Sequence, residues 1–208
     1  MSGIRGFAEL HRQGAVTGEE KTKELLGRIE NESKRMGSLV EDLLLLARLD
    51  QSREMKSEPV NLSKLVSDAV ESARVAGPLH KISYQNPMED IYTLGDNDRI
   101  HQVVANLLAN ARTHTPSGTV IDVSVAQEDD GVRIRISDNG PGLSDKDQAR
   151  IFERFYRADS SRVRTDGEGT GLGLSIVDAV MRAHAGQVSV ESKPGEGATF
   201  TLFFPLNS

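Results

Sequence analysis

The sequence predicts an α+β fold, a two-layer sandwich with helices on one face of a mixed, mostly antiparallel sheet, preceded by a truncated helical hairpin. Three observations predict it. Apolar residues recur at helical spacing over 61–76, 96–112 and 172–184. They alternate with polar residues over 119–127 and 132–137. A heptad-like repeat precedes all of these segments.

The heptad-like repeat predicts a long helix from Lys21 to about Asp50. Its apolar positions alternate spacings of three and four, with Ser33 at the one polar position: Leu26, Ile29, Met36, Val40, Leu43 and Ala47. Further leucines widen the stripe from a two-stranded seam towards a bundle. Before it, residues 4–10 predict a short helix and "GAVTGEE" predicts a turn. We therefore expect residues 1–57 to form a helical hairpin whose first arm is cut short.

The polar segment 51–60, which contains Pro59, predicts a linker, and we place the second domain at 58–208. Asn61 is predicted to cap a helix that Gly77 and Pro78 close. The other predicted elements are strands at 81–85 and 91–94, a helix at 96–112, a hairpin of strands 119–127 and 132–137, a helix at 172–184, and the final strands "QVSVES" and "ATFTLFF".

The composition excludes several classes of protein. The 208 residues are 37% hydrophobic and 27% charged, as in a soluble globular protein. A net charge of −6 without a basic cluster argues against a nucleic-acid partner. The absence of cysteine excludes disulfides and thiolate metal sites. The longest near-apolar run, 43–47, is far shorter than the roughly 20 residues that span a bilayer, so we expect no direct membrane contact.

A glycine-rich stretch, "GEGTGLGLS" at 167–175, resembles a phosphate-binding loop without matching either common pattern. A P-loop requires a lysine after its last glycine, and none is present here. The dinucleotide pattern fails because Leu174 stands where its third glycine belongs. The remaining motifs must therefore decide what this stretch binds.

Other motifs are weak when each is taken alone. Asn106 and Asn110 share one helix face at the border of the apolar stripe, where surface or capping asparagines also occur. The stretch "DNGPGL" (138–143) follows a predicted strand and alone would be a turn. The stretch "GEGATF" (195–200) alone would be a hairpin.

Together, and in this order, the motifs resemble those of sensor histidine kinases over residues 59–208. They correspond to that family's asparagine box, phenylalanine box and three glycine boxes: Asn106-x-x-x-Asn110, "IFERFYR" (151–157), Asp138-x-Gly140-x-Gly142, "GTGLGL" (169–174) and "GEGATF". The helix "LVEDLLLLARLD" is similar to the second helix of the family's dimerisation and phosphotransfer domain. The resemblance implies a Bergerat-type ATP fold, with phosphates at the start of a helix near residue 172 and a lid over about 143–168.

The resemblance also implies roles for individual residues. Asp138 would accept a hydrogen bond from the adenine amine and favour ATP over GTP, and Gly140 and Gly142 would let the base approach the backbone. Asn110 would bind Mg²⁺ and Asn106 would order water or the ion's surroundings. Arg157 would reach the γ-phosphate, so Asn106 and Arg157 are the catalytic candidates. Further ATP-binding candidates come from the glycine boxes: Gly169, Thr170, Gly171, Leu172, Gly173 and Thr199.

The chain departs from the family's pattern in two places. Thr113 and His114 replace a common lysine and aromatic residue. Arg112 is then a candidate for the missing charge, and His114 either stacks on adenine or caps the helix. In addition, none of the five histidines lies in the H-E-x-x-x-P setting of a phosphoacceptor. We therefore expect no acceptor in this chain and place it before Met1.

The resemblance implies an ATP-dependent protein-histidine kinase that phosphorylates a histidine outside this chain and, through it, the receiver domain of a response regulator. It also implies a homodimer through the hairpin, weakened by truncation, on the cytoplasmic side of the membrane of a parent sensor. One alternative is a stand-alone Bergerat ATPase or serine kinase, against which the heptad helix argues. The other is a non-catalytic dimerisation module with a relic ATP fold, against which Asp138 and Asn110 argue.

Overall fold

The computed structural model describes residues 12, 18–50, 56–85, 89–158 and 170–206. The chain divides into two compact units, Met1–Leu45 and Leu46–Ser208. The predicted domain boundary between residues 57 and 58 stays a prediction. The short helix predicted at 4–10 and the turn that follows lie outside the described residues, apart from Gly18 and the start of the next helix.

A single long helix, α1, runs over Glu19–Asp50 and confirms the helix predicted from the heptad-like repeat. It begins after Gly18, whose carbonyl accepts hydrogen bonds from the backbone N–H of Thr22 at 3.1 Å and from its hydroxyl at 3.0 Å. Large apolar side chains remain exposed along it: Leu26, Met36, Val40, Leu43 and Leu44. A helix of this length with an apolar exposed stripe is suited to packing against other helices.

The second unit is built on a five-stranded sheet of order β2-β4-β5-β7-β6 and a separate two-stranded sheet of β1 and β3. Strands β2 and β4 are parallel and all other pairs are antiparallel. The strands are β1 (Glu58–Asn61), β2 (Lys81–Gln85), β3 (Tyr92–Gly95), β4 (Val120–Glu128), β5 (Gly131–Asp138), β6 (Gln187–Lys193) and β7 (Gly197–Pro205). The predicted mixed, mostly antiparallel sheet is confirmed.

The three longer helices of this unit bury apolar stripes, which confirms the α+β fold class, whereas a fourth helix of one turn buries none of its residues. They are α2 (Leu62–Ala76), α3 (Asn97–His114), the one-turn α4 (Asp145–Gln148) and α5 (Gly173–Ala183). On α3 every predicted apolar position is buried: Ile100, Val103, Val104, Leu107, Leu108 and Ala111. None of the helices in the described parts of the chain combines the length and apolarity needed to cross a membrane.

Asn61 caps α2, as predicted, by accepting a hydrogen bond from the N–H of Lys64 at 2.9 Å. Asp96 caps α3 in the same way, accepting from the N–H groups of Asp98 and Arg99. Each cap satisfies donors that the first helical turn leaves without partners. The helices therefore begin where these polar side chains stand.

The linker predicted over 51–60 was wrong for its last residues, because residues 58–61 form β1. Pro59 pairs with Leu94 of β3, and Val60 is only 3% exposed. Proline is tolerated in such an edge strand although its presence suggested a linker. The one-turn helix α4, capped by Ser144, was also missing from the sequence analysis, which placed an undivided lid there.

Candidate functional site

Asp138 ends β5 with its carboxylate on the face of the sheet that the helices cover, the face of Ile134 and Ile136. Its Oδ1 accepts a hydrogen bond from the N–H of Gly140 at 2.8 Å. Burial raises the pKa of Asp138, and hydrogen bonds from the backbone of Gly140 and Ala198 oppose that shift. A partly desolvated carboxylate of this kind gains strongly from a further N–H donor.

Two glycines allow the loop after Asp138 to pack closely against neighbouring residues. Gly142 has φ +68°, and a Cβ there would collide with the carbonyl oxygen of Lys193. A Cβ on Gly140 would lie 2.6 Å from Cγ2 of Thr115 and 2.7 Å from the Asp138 carboxylate. Both glycines were predicted to let a base approach the backbone. The structure shows that they are already needed for the loop to reach its own neighbours.

Asn106 and Asn110 lie one turn apart on α3, and both are half-buried at the border of the core. The Nδ2 of Asn106 donates to the carbonyl oxygen of Gly173 at 3.4 Å, which brings the middle of α3 to the start of α5. Thr115, just beyond the end of α3, approaches Gly140. Helix α3 is thus one wall of the site, and about 12 Å of helix separates its contacts with the α5 start and the Asp138 loop.

Among the residues that the structure describes, no side chain caps the start of α5 with a hydrogen bond. The first turn of a helix presents N–H groups without intrahelical partners, and its dipole favours an anion. Leu172 is buried in the core, and its N–H is donated to the hydroxyl of Thr170 at 3.3 Å. Gly173 follows as the first helical residue. This uncapped helix start is the strongest candidate anion position of the site.

Gly171 has a role that its sequence motif did not indicate. Its φ is +70°, its carbonyl accepts from the N–H of Phe155 at 2.9 Å, and a Cβ would lie 2.9 Å from the backbone of Phe155. The absence of a side chain therefore admits the backbone of residues 155–156. Gly169, predicted to leave room for phosphate, lies outside the described residues.

The segment that ends at Arg157 is anchored from both sides. Phe155 adopts φ +62°, which is unusual for a residue with a side chain. The hydroxyl of Tyr156 donates to Asp147 of α4 at 2.8 Å.

Although His114 is exposed as a whole, desolvation of its ring lowers its pKa, and the charge of Arg157 lowers it further. Arg157 and His114 are therefore electrostatic neighbours.

Two candidates stand apart from this cluster. The guanidinium of Arg112 donates to the carbonyl oxygen of Ala76 at 3.1 Å, at the end of α2. The hydroxyl of Thr199 hydrogen-bonds that of Ser137 at 2.8 Å. Ser137 and Thr199 face each other across β5 and β7, whereas Asp138 faces Ala198. Because successive side chains of a strand point to opposite faces, Thr199 lies on the face away from the Asp138 carboxylate. We therefore leave Arg112 and Thr199 out of the proposed ligand set.

The second unit is an α+β domain with a half-buried carboxylate at a strand end, and the start of α5 is a position that favours an anion. The sequence comparisons agree: residues 95–208 match the family "Histidine kinase-, DNA gyrase B-, and HSP90-like ATPase", and residues 1–52 match "His Kinase A (phospho-acceptor) domain". The chain belongs to the histidine kinase-, DNA gyrase B- and HSP90-like ATPase family. The resemblance to sensor histidine kinases is confirmed.

Several proteins that are similar to this chain are named as sensor histidine kinases. The chain is 44% identical over 207 residues to the probable sensor histidine kinase TcrY of Mycobacterium tuberculosis, covering 100% of this chain and 43% of that protein. It thus spans less than half of this relative. Among solved structures, the mycobacterial sensor histidine kinase MprB is 27% identical with a TM-score of 0.64, over 71% of this chain and 97% of that one. Full-length ShkA in complex with AMPPNP is 28% identical with a TM-score of 0.71, over 100% of this chain and 44% of that one.

Proposed function

We propose that this chain is the ATP-binding catalytic part of a protein-histidine kinase that transfers the γ-phosphate of ATP to a histidine in two-component signalling. One observation carries the proposal. Asn106 of α3 contacts the start of α5 at Gly173, and Thr115, just beyond the end of α3, lies beside Gly140, whose N–H donates to the partly desolvated carboxylate of Asp138. The carboxylate is suited to an N–H donor on the base of a nucleotide, and the start of α5 is suited to the anionic phosphates.

Base selection rests on Asp138. Its carboxylate can accept from the exocyclic amine of adenine, whereas guanine presents an oxygen at that position. A partly buried carboxylate facing that oxygen would lack the additional donor that adenine supplies, which costs about 1–3 kcal/mol. The loop of Gly140 and Gly142 would border the base. We therefore propose that the site prefers ATP to GTP.

The phosphates are proposed to lie at the start of α5, where residues 170–173 present backbone to the ligand: Thr170, Gly171, Leu172 and Gly173. Asn106 borders the same place through its contact with Gly173. The half-buried amide oxygen of Asn110 fits Mg²⁺, which prefers oxygen ligands. Bound there, Mg²⁺ would neutralise part of the phosphate charge. The solved structure of full-length ShkA is a complex with AMPPNP, which supports a nucleotide as the ligand of this site.

Arg157 is proposed to bind the transferred phosphate, because a planar guanidinium matches phosphate oxygens in charge and geometry. The charge of Arg157 acts on His114. The His114 ring is proposed to border the nucleotide. Arg157 would stabilise charge as the phosphoryl group leaves, and Asn106 would orient water or the ion.

The acceptor histidine and the response regulator are the partners of the proposed reaction. None of the five histidines of this chain is followed by glutamate in an H-E-x-x-x-P setting. We therefore propose that the acceptor is supplied by another polypeptide segment, and that residues 1–57 contribute a homodimer interface through the exposed stripe of α1. Residues 58–208 would form the catalytic domain. A membrane-bound parent sensor, with this part in the cytoplasm, belongs to the same proposal.

Calorimetric titration with Mg-ATP and Mg-GTP tests the site. We expect the 208-residue chain to bind ATP more tightly than GTP, and Asp138→Ala to lose ATP affinity and this preference. Equal ATP affinity in both proteins would remove Asp138 from the base site. Labelled ATP then tests the chemistry: we expect no acid-labile label on the chain alone, and label on an added helical hairpin with an H-E-x-x-x-P histidine. His11 is the histidine that lies within residues 1–57, the predicted hairpin, and label on the chain alone that is lost in His11→Ala would make it the acceptor.

A further inference from the structure

Gln148 completes the edge of the five-stranded sheet. Strand β6 is the last strand of that sheet, so backbone groups on its outer side have no neighbouring strand. The side-chain amide of Gln148 takes that place at Ser192. It donates to the Ser192 carbonyl at 3.0 Å and accepts from the Ser192 N–H at 3.1 Å. This two-point pairing imitates one step of a strand ladder.

The same residues also hold the loop that follows Asp138. The Gln148 amide donates to the carbonyl of Leu143 at 3.3 Å. The hydroxyl of Ser192 accepts from the N–H of Leu143 at 2.8 Å and donates to the carbonyl of Gly197 at 2.6 Å. Both backbone groups of Leu143 are thus bound, one by each side chain. We call these five hydrogen bonds the Gln148–Ser192 latch.

The latch lies between the two parts of the candidate site. Upstream of Leu143 is the loop of Asp138, Gly140 and Gly142. Downstream is α4, whose Asp147 accepts from the hydroxyl of Tyr156, next to Arg157. If the latch opened, the carboxylate loop and the arginine segment would lose these side-chain hydrogen bonds to β6, and the packing of Gly142 against Lys193 would remain.

We propose that Gln148 and Ser192 are positioning residues for nucleotide binding, which hold the Asp138 loop and the Arg157 segment in register with each other. The inference rests on the proposed ATP site. Neither side chain is assigned a contact with the nucleotide. Their effect on affinity comes from preorganisation, because a loop that must be ordered on binding lowers the apparent affinity.

Two variants break the latch in different ways. Ser192→Ala removes the hydroxyl that joins Leu143 to Gly197, and Gln148→Leu removes the amide at nearly constant size. Ser192→Thr keeps the hydroxyl, and its β-branched side chain suits a strand. Gln187→Ala, at an exposed position of the same strand, is the matched control.

The experiment is calorimetric titration of the 208-residue chain with Mg-ATP at low temperature, with thermal unfolding and amide exchange of the free proteins. We expect Ser192→Ala and Gln148→Leu to lose about tenfold in ATP affinity. Ser192→Thr and Gln187→Ala should remain near wild type. Exchange should quicken at Leu143 in Ser192→Ala and at Ser192 in Gln148→Leu, while the folded fraction stays unchanged.

The outcomes separate three cases. If both latch variants bind ATP as wild type does while these amides exchange faster, the latch is structural only and the proposal is overturned. If affinity falls only in proportion to a loss of folded protein, it is overturned as well. If the wild-type chain fails to bind ATP, the proposed function is contradicted, and the proposed role of the latch in ATP binding is contradicted with it.

Discussion

The imidazole of His184 joins the end of α5 to the start of α3 by accepting a hydrogen bond from the N–H of Asp96. The distance from Asp96 N to Nε2 is 3.0 Å, and Nδ1 lies 2.8 Å from the carbonyl oxygen of Val180. Since Nε2 accepts, Nδ1 carries the proton and donates to Val180. The His184 and Phe204 rings meet edge to face at 6.3 Å. This histidine, which the sequence placed simply on a helix, links the two helices that border the candidate site.

Replacing His184 by phenylalanine is expected to lower the free energy of unfolding by about 1–3 kcal/mol, because the half-buried N–H of Asp96 loses its acceptor. The ring contact with Phe204 remains possible in this variant. Urea unfolding measures the change. The control is Arg182→Ala on the same helix, which breaks an exposed ion pair with Asp178 and should change stability little. His184→Phe with wild-type stability would show that the hydrogen bond contributes nothing.

Asp138 is expected to make folding less favourable at neutral pH than at acid pH. Its folded-state pKa is raised by burial, so its contribution is complete below the unfolded pKa and is lost as pH rises through the folded one. Asp138→Asn should therefore gain stability relative to wild type as the pH rises from below the ordinary aspartate range to neutrality. Urea unfolding at a series of pH values measures this.

Asp130 provides the opposite case for the same experiment. A hydrogen bond from Arg133 lowers the pKa of Asp130, so Asp130 stabilises the fold above its unfolded pKa and loses that effect as pH falls through the folded one. Asp130→Asn should be less stable than wild type at neutral pH, and the gap should close in acid. If the two variants changed in the same direction with pH, the assignment that predicts the opposite direction would be wrong.

Gly171→Ala is expected to destabilise the protein more than Gly195→Ala. Both glycines have positive φ, +70° and +86°, so alanine is strained at either position by about 1–2 kcal/mol. Only at Gly171 does the new Cβ meet the backbone of Phe155, at 2.9 Å, whereas nothing lies within 4 Å at Gly195. Thermal unfolding of the two variants isolates this contact. Equal losses would mean that residues 155–156 move aside at no cost.

His114 is expected to titrate below the usual histidine range, and Arg157→Gln should raise its pKa part of the way back. Desolvation of the ring is the larger cause of the lowered pKa and would persist in the variant, whereas the repulsion from Arg157 would vanish. Nuclear magnetic resonance titration of the imidazole measures both effects. Arg154→Gln, three residues earlier in the same segment, is the control. An unchanged His114 pKa in Arg157→Gln would place the two side chains too far apart to interact.

Secondary structure with a strong local pattern was predictable, and the weakly patterned elements were not. The apolar spacing of α3 and the alternation of β4 and β5 identified both kinds of element, because burial of one face imposes a period of 3.6 or 2 on the sequence. Strand β1 was missed because it has only four residues and contains Pro59. Its partner β3 begins at Tyr92, about 30 residues further along the chain, so no local pattern marks the pair. The one-turn α4 is marked only by its cap, Ser144.

The candidate site was predictable in part for the same reason. The pair Asn106 and Asn110 follows from helix periodicity, and Asp138 from its position at a strand end followed by glycines. Thr199 was included as a member of its motif, although the pairing of β5 with β7 turns it to the other face. Gln148 and Ser192 escaped notice, because no local pattern marks two polar residues 44 positions apart as partners.

The sequence by itself determined which of the strongly patterned segments are helices and strands, which of their faces are buried, and where the chemically distinctive residues stand along the chain. These properties are local, since they depend on the repeat of the backbone and on the side chains within a few turns. Beyond the predicted hairpin of β4 and β5, only the tertiary structure decided which strands pair, in which register, and what occupies the space beside each glycine. Those properties depend on contacts between residues distant in sequence, such as Gly171 with Phe155 and Gly142 with Lys193, whose geometry exists only once the sheet has formed.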